Sequence, residues 1–171
     1  MKETEWRGKA LTSEEIDEGK VTSTRWHPKV KYSWACGKAI SRFLEEIKKV
    51  KLIATKCDKC GRILFPPRVF CEECFADVDE WVYVKDTGTV QTFSISYLDM
   101  DAKRIKVPIL VGVVSIDGAS EKMGIMHYFG DMKPEELKIG MKVKAVWRPA
   151  NERKGSILDI KHFGPLKEGE Q

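Results

Sequence analysis

The sequence predicts a mainly β protein with N-terminal helices, in which a zinc ribbon precedes a five-stranded OB-fold barrel. Three observations predict this fold. Four of the five cysteines form two CxxC pairs that are ten residues apart. Five strand-like segments follow, with a short helix-like segment between the third and the fourth, which is the order of an OB-fold. The first 52 residues show helical patterns instead.

The composition is that of a globular protein with an ionic surface, since 33% of the residues are charged and 42% are hydrophobic. The chain has no run of about 18 apolar residues and its N-terminus has no apolar signal-peptide core, so we expect neither a membrane span nor secretion. We therefore expect a cytoplasmic protein, where paired cysteines bind metal more often than they form disulfides. One asparagine and two glutamines beside many charges are a thermophile pattern.

Residues 1–52 are predicted to be an N-terminal helical segment. Thr12 and Glu15 have the spacing of a capping box, and Gly19 is placed to end that first helix. A second helix is predicted over about 35–51, because apolar residues recur there on one helical face. Those residues are Ile40, Phe43, Leu44, Ile47 and Val50.

The connection between the two helices, RWHPKVKYSW, is predicted to be extended because Pro28 disfavours helix in the residue before it. It carries three large aromatic residues, Trp26, Tyr32 and Trp34. Aromatic residues are frequent anchors of protein interfaces. We therefore expect this segment to bind a partner, with burial against the barrel as the alternative.

The zinc ribbon is predicted at 53–76, the OB-fold domain at 77–165 and a flexible tail at 166–171. Alternating or continuous apolar patterns predict the barrel strands. The predicted strands are 92–97, 108–116, 122–129, 141–147 and 156–163. A short helix is predicted at 133–140, with Pro134 at an early helical position and Gly140 ending it.

The two CxxC pairs supply Cys57, Cys60, Cys71 and Cys74. Two such pairs can place four thiolates at the corners of a tetrahedron around one structural zinc ion, with iron as the alternative metal. All four positions are then taken by protein, whereas a catalytic zinc keeps one position open. Gly61 follows the first pair and can adopt the positive φ of a tight turn. Phe75 holds the matching place after the second pair, which predicts a different turn there.

The stretch between the cysteine pairs is a candidate partner-binding surface. It contains Phe65, Pro66, Pro67, Arg68 and Phe70. The two prolines donate no ladder hydrogen bonds, so the ribbon between the pairs must be short and edge-like. The alternative is that Phe65 and Phe70 pack the ribbon onto the barrel.

No catalytic residues are predicted. Cys36 is a possible nucleophile near a helix N-terminus, but it has no identifiable histidine partner, and a small packed residue is the alternative. His27, His127 and His162 are widely separated, and the last two lie in predicted strands. No phosphate-binding loop, dinucleotide fingerprint or nucleophile elbow is present. An enzyme subunit that uses Cys36 is thus the weakest interpretation.

Two basic clusters lie in the connections between the predicted barrel strands. They are Lys103, Arg104 and Lys106 after the first strand, and Arg148, Arg153 and Lys154 after the fourth. OB-folds bind oligonucleotides with these loops, so binding of single-stranded nucleic acid is an alternative function. Residues 53–171 nevertheless hold 18 basic and 18 acidic residues, and nucleic-acid binding needs a basic face. The net charge of +4 therefore lies in residues 1–52.

Four stretches together resemble a known family. They are YSWACGKAISRFL, then CDKCG with PPRVFCEEC, then VPILVGVV, and finally IGMKVKAVW. The chain resembles the zinc-ribbon/OB-fold acyl-CoA-associated family, long described as a domain of unknown function. The resemblance covers about 26–163, and its most specific part is the pair of CxxC motifs with PPR.

The resemblance implies an N-terminal helical segment, a rubredoxin-like zinc ribbon and a C-terminal OB-fold domain. It also implies zinc ligation by the four paired cysteines and a role beside thiolases and related acyl-CoA enzymes. Some archaeal members are similar to a scaffold that joins acetoacetyl-CoA thiolase and hydroxymethylglutaryl-CoA synthase, which implies a place in the mevalonate pathway. We therefore predict a non-catalytic adaptor for a thiolase-type enzyme. If CoA or acyl-CoA contacts this chain, its phosphates need cations, and we predict Arg68, Arg104 and Arg148. Trp34 and the PPR stretch are the predicted partner contacts.

Overall fold

The computed structural model describes residues 12–20, 30–99 and 101–167. The chain divides into two compact units, Met1–Trp34 and Ala35–Gln171. In the first unit, helix α1 spans Ser13–Asp17. The predicted capping box is confirmed, since the amide of Glu15 donates to Thr12 Oγ1 and the amide of Thr12 donates to Glu15 Oε2, both at 3.2 Å. Trp26, His27 and Pro28 lie outside the described residues.

Helix α2 spans Gly37–Lys48, within the predicted range. It buries Ala39, Phe43, Glu46 and Ile47. The helix ends before Val50, which adopts a φ of 64°. Ile40 and Val50 are exposed, so the buried face is narrower than the apolar pattern suggested.

The ribbon forms an antiparallel three-stranded sheet in the order β2-β1-β3. Strand β1 spans Leu52–Lys56, β2 spans Ile63–Leu64 and β3 spans Glu80–Val84. The two-residue β2 lies at the sheet edge, as the prolines after it require. Strands β1 and β3 were not expected from the sequence. The bounds predicted for the ribbon and the barrel stay a prediction, although β3 pairs with the ribbon sheet.

The second sheet confirms the OB-fold. Its strands are β4 (Thr87–Leu98), β5 (Arg104–Ile116), β6 (Gly124–Tyr128), β7 (Lys142–Trp147) and β8 (Ile160–Pro165). They pair in the order β6-β5-β4-β7-β8. A parallel bridge between Phe129 and Phe163 joins the two ends of this sheet. The sheet therefore closes on itself as an OB barrel does.

The helix predicted at 133–140 is wrong, because the segment forms turns. The amide of Lys133 donates to the side chain of Glu136, and the amide of Gly140 donates to the carbonyl oxygen of Val90 at 2.8 Å. Only Leu137 of the apolar side chains in this segment is buried, while Ile139 is exposed. One buried residue gives a short helix too little apolar contact to stabilise it.

The strand predicted from residue 156 begins later, because a 3₁₀ turn at Ile157–Asp159 precedes β8. Asp159 is buried and accepts hydrogen bonds from the amides of Lys154, Gly155 and Ser156. This carboxylate therefore organises the loop between β7 and β8. None of the described helices is long and apolar enough to cross a membrane.

The ribbon and the barrel share one continuous hydrophobic core. Phe43 of α2 meets Phe65 of the ribbon edge to face, with ring centroids 5.5 Å apart. Val90 and Phe163 extend the same core into the barrel. The four-cysteine segment is thus held rigidly on the rest of the second unit.

Candidate functional site

The four paired cysteines lie at the ends of two similar tight turns. In the first turn, the amide of Gly61 donates to the carbonyl oxygen of Cys57 at 2.7 Å. In the second, the amide of Phe75 donates to the carbonyl oxygen of Cys71 at 2.9 Å. The expectation of a different second turn is wrong, because Phe75 adopts a φ of 53°, close to the 73° of Gly61. We call these turns the first and second knuckle.

The knuckles bring the four cysteine sulfurs together, all within 4.8 Å of one another. Sγ of Cys57 is 3.4 Å from that of Cys74, and Sγ of Cys60 is 3.6 Å from that of Cys71. Sulfurs at about 2.3 Å from a tetrahedral zinc ion are roughly 3.8 Å apart. The four sulfurs are thus positioned for metal binding, and their number leaves no position for a reacting water.

Backbone amides stabilise negative charge on these sulfurs. The amides of Cys74 and Glu73 lower the pKa of the Cys71 thiol to about 7. The amide of Cys60 likewise lowers the pKa of Cys57. The amide of Arg62 favours the Cys60 thiolate, but burial and the neighbouring sulfurs outweigh it and raise the pKa to about 12. Such mutual repulsion among four thiolates is what a bound cation removes.

Ion pairs brace the outside of the metal centre. Arg62 Nη1 lies 2.8 Å from Glu72 Oε1 and 3.0 Å from Glu73 Oε1. Arg68 Nη1 lies 3.1 Å from Glu72 Oε2. Arg62 is part of the segment after the first knuckle, and both glutamates are part of the second. The pairs therefore link the two knuckles independently of the sulfurs.

The second knuckle lies at the tip of a hairpin, 69–78, which we call the knuckle hairpin. The amide of Val78 donates to the carbonyl oxygen of Val69, and Phe70 forms a bridge with Asp77. Val69, Phe70 and Phe75 are exposed, the last to 82%. An exposed phenylalanine at a positive φ is unusual, and no pattern in the sequence indicates the conformation of Phe75.

The PPR stretch is divided between core and surface. Phe65 and Pro67 are fully buried and Pro66 is half-buried. Phe65 is therefore a packing residue, which was the alternative to a partner contact. Thr55 of β1 anchors the PPR stretch, because the amide of Arg68 donates to Thr55 Oγ1 at 3.0 Å. Arg68 and Phe70 are the exposed members.

The predicted phosphate-binding arginines lie on three different elements. Arg68 belongs to the ribbon, Arg104 begins β5, and Arg148 follows β7. Arg148 Nε donates to the carbonyl oxygen of Leu158 at 2.7 Å. Arg68 and Arg148 therefore already hold partners within the chain, whereas Arg104 is exposed at the base of the β4–β5 loop.

The other candidate residues are placed as follows. Cys36 is exposed at the N-cap position of α2. His127 is buried with Nε2 3.2 Å from the carbonyl oxygen of Ile157. His162 Nε2 lies 2.8 Å from Asp131 Oδ2. Trp34 is exposed and meets Tyr32 edge to face, with centroids 5.9 Å apart.

Two family descriptions match adjacent parts of the chain. Residues 46–80 match the rubredoxin-like zinc ribbon domain of ChsH2. Residues 81–148 match the C-terminal OB-fold domain of ChsH2. These ranges contain the ribbon sheet, all four paired cysteines and most of the barrel.

Three known proteins show the same relationship. A DUF35 domain-containing scaffold protein of Methanocaldococcus jannaschii is 29% identical over 102 residues, which are 59% of this chain and 70% of that protein. The Ltp2-ChsH2(DUF35) aldolase structure has the same fold, with a TM-score of 0.57, 20% identity, and 78% of this chain and 98% of that chain covered. A DUF35-family crystal structure of unknown function from Sulfolobus solfataricus has a TM-score of 0.56, with 64% of this chain and 78% of that chain covered. Since the Sulfolobus protein is also 30% identical to this chain over that match, the chain belongs to the DUF35 family.

Proposed function

We propose that this chain is a non-catalytic adaptor that binds an acyl-CoA enzyme of the thiolase type. The observation that carries the proposal is the exposed apolar surface of the knuckle hairpin, formed by Val69, Phe70 and Phe75. The Methanocaldococcus relative is named a scaffold protein, and the aldolase neighbour contains a DUF35 chain. Both relatives support a role in assembling an enzyme.

The metal centre gives the knuckle hairpin a fixed shape. Four thiolates would hold one structural zinc ion in this proposal, and their coordination to it would cross-link the two knuckles and stabilise the closed ribbon. A segment of this size has too small a core to fold alone, and structural zinc contributes on the order of 10 kcal/mol to such folds. Phe75 is then presented to a partner without the entropy loss of ordering a flexible loop.

Burial of the knuckle hairpin on a partner would be favourable. Removing one phenylalanine side chain from water contributes about 1.5–3 kcal/mol, and aromatic residues dominate interface energetics. Arg68 is an exposed candidate for the same interface, and Trp34 is an exposed candidate contact in the first unit. The resemblance to acyl-CoA-associated scaffolds favours thiolase and hydroxymethylglutaryl-CoA synthase as the enzymes.

Contact with CoA or acyl-CoA is the finer part of the proposal. A guanidinium group grips phosphate through two hydrogen bonds. Arg104 is the most available of the three proposed arginines, because Arg68 pairs with Glu72 and Arg148 pairs with Glu152. A phosphate that binds Arg68 or Arg148 must compete with these carboxylates.

The test is capture of an acyl-CoA enzyme by the tagged, zinc-loaded chain, followed by binding measurements with Phe75→Ser. We expect wild-type protein to capture a purified thiolase, and Phe75→Ser to weaken the complex at least tenfold. Ile139→Ser is the matched control, because Ile139 is also a large exposed apolar residue but lies far along the chain, between β6 and β7. The proposal fails if wild-type protein captures neither thiolase nor hydroxymethylglutaryl-CoA synthase.

A further inference from the structure

A cleft lies beside the line where the ribbon sheet meets the barrel. Its volume is about 660 Å³, within the range of roughly 300–1,000 Å³ that is typical of small-molecule sites. The apolar wall consists of Val50, Leu52, Val84 and Leu166. None of the arginines proposed above lines it, so the cleft is distinct from the proposed adaptor surface.

Tyr83 forms the aromatic side of the cleft. Its side chain is 59% exposed although it belongs to β3. The Tyr83 hydroxyl donates to Glu46 Oε2 at 3.0 Å, which fixes the ring. Lys51 Nζ lies 5.2 Å from the ring centroid. A fixed, partly exposed ring offers a planar ligand a surface for stacking without loss of side-chain entropy.

The polar part of the cleft lining carries more positive than negative charge. Lys51, Lys85 and Lys142 line the cleft together with Asp86 and Asp117. Both carboxylates are occupied: Asp117 accepts from Lys142 Nζ at 2.8 Å and from Thr87 Oγ1 at 2.7 Å, and Asp86 accepts from Trp147 Nε1 at 3.3 Å. Within the described part of the chain, the Lys85 ammonium donates no hydrogen bond to either carboxylate, although its charge helps to lower the pKa of Asp117. Its hydrogen-bond donors are therefore available to an anion.

We propose that this cleft binds a phosphorylated small molecule with a planar ring, of the mononucleotide class. The ring stacks beside Tyr83, the apolar wall covers its edge, and the phosphate accepts hydrogen bonds from Lys85 and Lys51. The three lysines in the lining favour an anionic ligand over a wholly apolar one. This proposal rests on the cleft alone and does not depend on the adaptor role.

Titration of the zinc-loaded full chain with adenosine monophosphate, followed by amide NMR shifts, tests the proposal. We expect saturable shifts at Tyr83, Lys85 and Thr87, with adenosine and inorganic phosphate each binding more weakly. Lys85→Gln removes the ammonium and should weaken binding of the mononucleotide about tenfold, the effect of losing one charge-assisted hydrogen bond. Tyr83→Leu should weaken binding of adenosine as well, because it removes the stacking surface.

Lys138→Gln is the matched control, since Lys138 is an exposed lysine between β6 and β7 that lies in neither basic cluster. We expect it to leave mononucleotide binding unchanged. Absence of saturable shifts at the cleft overturns the proposal, as do equal losses from Lys85→Gln and Lys138→Gln, which mean diffuse attraction to surface lysines. Lys85→Gln should still capture the enzyme partner, so failure of this proposal and failure of the adaptor proposal are distinguishable.

Discussion

Gly61 and Phe75 occupy equivalent positions in the two knuckles, with φ values of 73° and 53°. Each donates its amide to the carbonyl oxygen of the first cysteine in its pair. A left-handed conformation costs a residue with a Cβ atom roughly 1–2 kcal/mol, and glycine avoids that cost. The chain therefore accepts backbone strain in order to place a phenylalanine on the second knuckle.

Substitutions at these two positions should have opposite effects on the unfolding free energy. Gly61→Ala meets no atom within 4 Å of the added Cβ, so its expected cost of about 1 kcal/mol is purely conformational. Phe75→Gly relieves the same strain, offset by about 0.5–1 kcal/mol of glycine entropy, and should leave stability unchanged or slightly raised. Chemical denaturation of the zinc-loaded proteins measures both. A large loss of stability in Phe75→Gly would mean that the exposed ring packs within the chain.

The metal centre predicts a specific loss on removal of one ligand. Purified protein should contain about one zinc ion per chain, measured by elemental analysis. Cys57→Ser should lose the metal and lower the melting temperature, because three thiolates remain crowded without a cation. Cys36→Ser is the control, since Cys36 is the one cysteine outside the cluster. Unchanged metal content in a Cys57→Ser, Cys71→Ser double variant would contradict the four-sulfur site.

The sequence predicted the OB strands and the cysteine cluster because both depend on local signals. Alternation of Phe93 and Ile95 with small polar residues marks a strand, and the CxxC spacing marks a ligand pair. Strand β3, in contrast, is only partly buried, and its pairing with β1 closes a long loop that local patterns do not reveal. Pro134 and Gly140 stand where the two ends of a helix would be. The backbone of residues 133–140 is instead directed by the hydrogen bond from the amide of Gly140 to the carbonyl oxygen of Val90.

Local sequence patterns also did not reveal the cleft around Tyr83, because it forms between parts of the chain that are distant in sequence. Its lining comes from five separate stretches, among them the residues just after α2 and just after β8. In the sequence, Lys51, Lys85 and Lys142 do not differ from other surface lysines. Only the fold places all three around one cleft. A different turn was also expected at Phe75, because glycine is the residue favoured at positive φ. The two cysteines of this pair, Cys71 and Cys74, constrain the turn instead.

His127 predicts how stability depends on pH. Burial lowers the pKa of His127 below its ordinary value. Because the unfolded chain then binds the proton first, the stabilisation is present in full above about pH 6.5 and decreases as the pH falls towards the folded pKa. His127→Phe should remove this dependence at the cost of the contact with Ile157. Unfolding free energies of both proteins across that window measure it, and parallel pH curves would contradict the assignment.

Nucleic-acid binding should be weak. Two of the cations in the second basic cluster are used within the fold, since Arg153 Nη1 donates to the carbonyl oxygen of Lys48 at 2.7 Å and Arg148 Nε donates to that of Leu158 at 2.7 Å. We expect a Kd for single-stranded DNA no tighter than roughly 10⁻⁶ M at physiological salt, the range of non-specific binding. Fluorescence anisotropy at several salt concentrations measures it. Nanomolar binding that persists at about 200 mM salt would favour the nucleic-acid alternative instead.

Trp34 and Arg68 should separate assembly from activity in the adaptor complex. Trp34 is 82% exposed, and its replacement by alanine should weaken the complex by about 2 kcal/mol or more if it is an interface hot spot. The Arg68 guanidinium already pairs with Glu72. We therefore expect Arg68→Ala to change the affinity for the partner enzyme only slightly. If its guanidinium contacts acyl-CoA, the variant lowers the partner's activity on acyl-CoA more than it lowers capture.

Isothermal titration of the partner with each variant, followed by activity of the saturated complex, measures the two effects. Lys103→Ala provides a control for general loss of positive charge, because Lys103 is exposed on a different loop. Equal losses of capture and activity from Arg68→Ala would assign Arg68 to the protein interface alone. Unchanged capture by Trp34→Ala together with loss by Phe75→Ser would place the interface on the knuckle hairpin rather than on the segment before α2.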